Sequence, residues 1–317
     1  MRLTLREKEL FEALKRDPLI AQEELARRFG ITRSSVAVHI SNLMKKGVIL
    51  GKGYVFNEAA STAIFGESCI KIEVKEDTSE TNIDIKFSGF AIEMTKAMAN
   101  FGLDVKLITA IGNDDVGDAI INLLKKMEID TSNIYRYSDM RSCRKILVNK
   151  IPIYNESISW KEYEKVLTLR EWVAFNSEWL CIDPNLYTNI YSKFNNKDAD
   201  RIPNLSTYIV IRYPEEIPVC LGACSTLVMG VEEESLGYYL DKIKPLVLNR
   251  NWVITDGNNR VVFFKDQKAV DIPLMPYQGF SIEHRLPFLL AGLIYGLSNS
   301  YPLRQAIRIG IGSAAGE

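Results

Sequence analysis

A chain of 317 residues, 47% hydrophobic and 25% charged, is globular and long enough for a small module plus a larger domain with its own core. Five cysteines without a CxxC pair and only two histidines exclude a zinc site of His and Cys at the usual spacing, so no metal site is expected and a reducing, cytoplasmic setting fits. The net charge of -1 is unevenly spread: residues 1–56 carry 11 Lys+Arg against 6 Asp+Glu, and the other 261 residues 28 against 34, so only the head is expected to meet a polyanion.

The amino terminus, MRLTLREKELFEALKR, is charged throughout, and no later apolar run reaches membrane-spanning length; a soluble protein with no membrane partner is the expectation. EKELFEALKRDP reads as a helix with Leu10, Phe11 and Leu14 on its apolar face. The next stretch divides at Gly30 into two helices, one carrying Leu25 and Phe29, the other Val36, Ile40, Leu43 and Met44, with Thr32 placed as an N-cap. LGKGYVFN adds a short strand and a tight basic tip. This is a helix-turn-helix with a wing in outline. Its second helix would enter the major groove: Arg33 and His39 would reach base edges, Ser34, Ser35 and Asn42 would bond to bases or phosphates, and Lys45, Lys46 and Lys52 would hold phosphates. A three-helix cap with an ordinary solvated basic face is the competing reading. PLIAQEELARRFGITRSSVAVHISNLMKKGVILGKGYVF resembles the winged helix-turn-helix at the front of a bacterial subgroup of ribokinase-like (PfkB) sugar kinases.

From residue 62 the pattern changes. STAIFGES gives a buried strand, IEMTKAMANFG a helix, DVKLITAIG a second buried strand, and NDDVGDAIINLLKKMEI a helix with acids at its start. Alternation of this length predicts a parallel α/β domain. SCRKILVNKIPIYN reads as paired strands around a turn, SEWLCIDPNL as a short buried strand, and YSKFNNKDADRIPN as a surface loop. LSTYIVIRYPEE, an amphipathic helix in VEEESLGYYLDKIKPL, the core strand NWVITDG and strands turning at Asp266-Gln267 follow. SIEHRLPFLLAGLIYGL reads as a helix that begins at Pro287.

The order of AIFGES, ANFGLDVKLITAIGNDDVGDAI, NWVITDG and LLAGLIYGL again resembles the ribokinase-like fold. The expected chain is thus a winged helix-turn-helix over 1–58 followed, over 62–317, by a three-layer domain with a central, mostly parallel sheet and a reduced β lid. The resemblance implies transfer of the ATP γ-phosphoryl group to a sugar or nucleoside hydroxyl. It also implies a Gly-Ala-Gly-Asp at the mouth of the 288–297 helix, where this chain has His284, Arg285, Leu286 and Pro287. Proline offers no base and no N–H. Glu283 and His284 are displaced from the base position, and Arg285 is a potential anion holder. Where the family holds substrate hydroxyls with asparagine and aspartate, Cys69 and Lys71 stand; of a Gly-Gly pair and asparagine only Gly89 is retained, with Ser88 and Glu93 in the other places, and Lys71 with Glu93 would either close the pocket as a salt bridge or recognise a different charged ligand. Glu216 falls on the family's magnesium-network glutamate, Gly257 on its nucleotide-side turn, and Arg260 on a usual glycine. The reading is a DNA-binding regulator whose kinase-like domain senses a small polar, sugar or nucleoside ligand, forms a homodimer, or both, with no catalytic residue assigned and no cofactor required. The alternative is an active kinase with atypical residues, which needs ATP and Mg; a purely structural or dimerising body is a third reading.

Overall fold

The computed structural model describes residues 3–17, 20–46, 48–51, 55–56, 62–76, 81–190, 202–247 and 250–316. Lys52 at the wing tip and most of the loop read at 191–204 lie outside the described residues.

The head is built from α1 (Leu5–Arg16), α2 (Gln22–Phe29) and α3 (Arg33–Lys45), followed by β1 (Ile49–Gly51) paired antiparallel with β2 (Val55–Phe56). Each helix boundary has a local cause. Thr4 and Glu7 form a reciprocal capping box at α1, Gly30 closes α2 in the left-handed region with φ 63°, and the Thr32 hydroxyl accepts the Ser35 amide at 3.1 Å to start α3. Leu10, Leu14, Leu25, Val36, Leu43 and Ile49 fill the core between them. One further side chain joins that core from the body: Trp172, whose ring meets Phe11 edge-on at 5.9 Å.

In the body, β3 (Thr62–Phe65), β6 (Val105–Ile108), β11 (Trp179–Ile182), β12 (Asn204–Val210), β13 (Thr226–Gly230) and β14 (Asn251–Thr255) run parallel. The antiparallel strands β15 (Arg260–Lys265) and β16 (Lys268–Pro273) complete an eight-stranded sheet ordered β16-β15-β14-β13-β12-β11-β3-β6. Its parallel strands are largely buried on both faces, as a parallel sheet between helical layers must be, while the antiparallel edge strand β16 is mostly exposed. α6 (Trp160–Leu169), α7 (Glu171–Asn176), α8 (Pro184–Ile190) and α9 (Leu236–Ile243) contribute to the core on one side. α4 (Phe90–Ala99), α5 (Asp115–Lys126), α10 (Ile282–Ser298) and α11 (Leu303–Ala315) contribute to the core on the other. β7 (Ala110–Gly112) pairs with β8 (Tyr135–Tyr137) beside α5.

The lid is a four-stranded sheet ordered β10-β9-β4-β5, from β4 (Cys69–Glu76), β5 (Thr81–Ser88), β9 (Cys143–Val148) and β10 (Ile151–Glu156). Register sorts its two faces. The rows Ser88–Cys69–Cys143 and Lys86–Lys71–Lys145 share one face, and Cys69 and Cys143 are buried there. The rows Ile85–Ile72–Ile146 and Ile83–Val74–Val148–Ile151 share the other, where Ile83, Ile85 and Ile151 are 60%, 62% and 65% exposed. The lid is fastened to α5 through Asp114, which caps Gly117 and accepts from Ser142 and, at 2.7 Å, from Arg144 of β9. Burial opposes the charge on Asp114, but these donors together hold its carboxyl far below the ordinary range.

Candidate functional site

On the head, α3 presents Arg33, Ser34, Ala37, Val38, Ser41, Met44 and Lys45 to solvent while Val36, Ile40 and Leu43 face inward; Met44, expected on the apolar face, lies at its margin and is exposed. Arg33 is exposed and loosely tethered to Glu23 at 3.0 Å. Ser35 is half-buried and engaged by Thr32, Asn42 is half-buried, and His39 is half-buried with Nδ1 shut away from any hydrogen-bond partner among the described residues. Lys46 corrects the sequence reading. Its side chain is only 8% exposed and its ammonium meets the buried Glu7 at 2.7 Å, so it cannot reach a phosphate without breaking the head's core. Burial would raise the Glu7 carboxyl, yet the Lys46 and Thr4 hydrogen bonds hold it below its ordinary value. No local pattern points to this pair, whose members lie 39 residues apart.

In the body, the ends of β3, β11, β12, β13 and β14 converge at one edge of the sheet, where α/β folds of this kind place their ligands. Three regions meet there. The first is the start of α10. This helix begins at Ser281 and Ile282, not at Pro287, and the amides of His284 and Arg285 both donate to the Ser281 carbonyl, at 3.2 and 2.9 Å. The stretch that a phosphate nest would need as free, outward-pointing N–H groups is therefore a turn of helix, and Pro287 is buried inside it. Arg285 is also not an anion holder: it bonds to the carbonyls of Ala314 at 2.8 Å, Ser313 at 2.9 Å and Gly316, capping α11, and lies 4.2 Å above the Phe288 ring. Glu283 is paired with Arg212, and His284 is exposed.

The second region is the sugar side. Cys69 is buried and its thiol is pushed up to about 12 by desolvation. Lys71 does not bridge to Glu93. It pairs with Glu73 at 2.5 Å, and Lys86 shares the same carboxylate at 3.0 Å, which lowers Glu73 to about 2; Glu93 lies 3.7 Å from Lys96 instead. Gly89 is retained for steric reasons: φ is 97°, and a Cβ there would stand 2.4 Å from the Glu67 carbonyl oxygen. Residues absent from the sequence reading complete this floor. Lys145 pairs with Glu67, and the buried Asp183 accepts the Glu67 and Asn185 amides at 3.3 and 3.0 Å while desolvation pushes its carboxyl up to about 6. Their signal lay in the cross-strand register, which periodicity alone does not disclose.

The third region is the nucleotide side, a cavity of about 670 Å³ lined by Glu232, Glu233, Glu234, Asp256, Asn258 and the segment 279–282. No Lys or Arg is among those lining residues. Gly257 shapes its wall, its carbonyl accepting the Phe280 amide at 2.7 Å. Arg260 points away, 3.9 Å from Asp271, and Glu216 is exposed beside Lys242 at 3.9 Å, outside the cavity. Four carboxyl-bearing side chains with no cation repel a triphosphate, and with the helical nest the arrangement does not fit ATP.

This architecture defines a winged helix-turn-helix module joined to a ribokinase-like α/β domain. Residues 3–49 match the family model for winged helix-turn-helix DNA-binding, and residues 60–187 that for the pfkB family carbohydrate kinases. The chain is 33% identical over 138 residues to an uncharacterized sugar kinase of Escherichia coli (strain K12), covering 41% of this chain and 38% of that protein. It is 22% identical over 157 residues to an uncharacterized HTH-type transcriptional regulator of Pyrococcus horikoshii, covering 49% of this chain and 95% of the other. Among solved structures, a carbohydrate kinase from Agrobacterium tumefaciens superposes with TM-score 0.62 at 16% identity, over 80% of this chain and 89% of that one. The nucleoside kinase of Methanocaldococcus jannaschii gives 0.57 at 14% identity, over 81% and 92%. At these identities the likeness is one of fold.

Proposed function

We propose that this protein is a DNA-binding transcriptional regulator whose ribokinase-like domain no longer transfers phosphoryl groups and serves for sensing a small polar ligand and for dimerisation. One observation carries the reading: the same chain keeps an open, basic reading helix and runs a helix through the place where phosphate would be held. It needs no ATP or Mg, and it suits a cytoplasmic protein.

A single helix-turn-helix covers a half-site, so specific binding calls for two copies on a two-fold repeated operator. The outer lid face supports a dimer. Ile83, Ile85 and Ile151, with Ile153 at the adjoining bulge of β10, leave on the order of 400 Å² of apolar surface in water, the size at which the largest patch on a monomer is often functional. Two measurements test the reading. Mg-ATP with a panel of sugars and nucleosides is expected to give no substrate-dependent ADP release; turnover lost on Glu283→Gln or His284→Ala would overturn it. Selection from a random duplex pool is expected to enrich a two-fold repeated sequence, and a pool left unenriched would remove specific regulation.

A further inference from the structure

Among the exposed positions of α3, Val38 is chemically out of place. It is 59% exposed on a helix whose other valine, Val36, is buried. A β-branched apolar residue at a solvated helix position is poor in helix propensity and leaves its methyl groups in water. Ser34 lies four residues before it, Ser41 three after and Lys45 seven after, so the four side chains share one stripe, with Arg33 on the first turn about a quarter of the circumference to its side. The stripe therefore ends on a cation at Lys45 and carries a hydroxyl on either side of an apolar centre.

In the major groove only one base feature complements an aliphatic side chain: the C5 methyl of thymine. We propose that Val38 determines specificity by packing on a thymine methyl near the centre of each half-site, flanked by hydrogen bonds from Ser34 and Ser41. The inference rests on the DNA-binding reading above and adds to it which base the helix selects. Arg33 and Lys45 fix the register through phosphates or neighbouring bases, and Val38 supplies discrimination between thymine and the other bases at one position.

The test uses the full chain and the duplex enriched from the random pool. Each half-site thymine is replaced in turn by deoxyuridine, which removes the methyl and nothing else. One thymine per half-site is expected to matter, its replacement in one half-site weakening binding about fourfold, the worth of one buried methyl. Val38→Ala, which removes the contact from both copies, should bind the thymine duplex as weakly as the wild type binds the duplex with that thymine replaced in both half-sites, lose the sensitivity to the replacement, and melt with the wild type because the side chain is exposed. A wild type indifferent to every thymine methyl, a half-site without thymine, or a Val38→Ala chain that keeps the sensitivity would overturn the inference while leaving DNA binding intact. A chain that binds no duplex would instead overturn the reading beneath it, and the inference with it.

Discussion

Two helices of this chain begin where a helix start meets phosphate in related architectures, and they have been treated in opposite ways. α3 starts at its threonine cap with its first turn in solvent, carrying Arg33 and Ser34 outward. α10 starts at Ser281, more than a turn before Pro287, and its early amides and Arg285 are consumed by the fold itself. Both helices bond early amides internally, Ser35 and Val36 to Thr32 in α3 and His284 and Arg285 to Ser281 in α10, so the difference lies in the side chains: Arg33 and Ser34 stay in solvent, whereas Glu283 and Arg285 are engaged by Arg212 and the end of α11, and Leu286 and Pro287 are buried.

The sharpest way to break this contrast is to restore the missing acid. Pro287→Asp places a carboxylate in a buried helical position and is expected to cost about 4 kcal/mol without producing ADP release, read by thermal melting and a coupled ATPase assay. Recovered turnover would mean that α10 can unwind to rebuild a nest. Next in size, Lys46→Ala strands the buried Glu7 and should destabilise the chain by about 3 kcal/mol in denaturant titration. Because the folded carboxyl lies below its ordinary 4.5, its stabilising contribution is complete above that pH and is lost as pH falls through the folded value. The variant should therefore show a flatter decline of stability on acidification.

Smaller effects separate the head's reading surface from its support. Ile85→Lys on the outer lid face is expected to give monomers in sedimentation and to weaken operator binding at least about tenfold, by loss of the second half-site contact. Lys45→Ala should leave stability unchanged and reduce the slope of log K against log salt by about one unit per head. Neighbouring lysines thus give opposite signatures: stability for Lys46, salt dependence for Lys45.

Much of the architecture was legible because its causes are local. Thr32, Gly30 and the phase of Val36, Ile40 and Leu43 define α3, and the turns at Asn149-Lys150 and Asp266-Gln267, all with positive φ, mark the hairpins read around them. Pro287 misled because proline favours the first turn, whereas here it sits in the sixth position of a helix held by packing of Leu286, Leu289 and Leu290. The strand at 81–88 and the helices at 160–176 were missed: the first alternates polar and apolar residues that need the lid to pair, and the second is interrupted at Arg170. Lys71, Lys145, Glu67 and Asp183 come together only through strand pairing between distant segments, and Val38 falls outside both the apolar face and the polar contacts read from the α3 sequence, because apolar residues were not weighed as base contacts.

The indole that completes the head has a consequence in time. Trp172 is made about 115 residues after β2, so at roughly 5–20 residues per second the ribosome delivers it about 6–23 s after the rest of the head has been synthesised. A head emerging first must wait for the body to supply that contact. A fragment ending near residue 58 would keep every buried member of the head's core and lose the indole that packs against Phe11 from outside it.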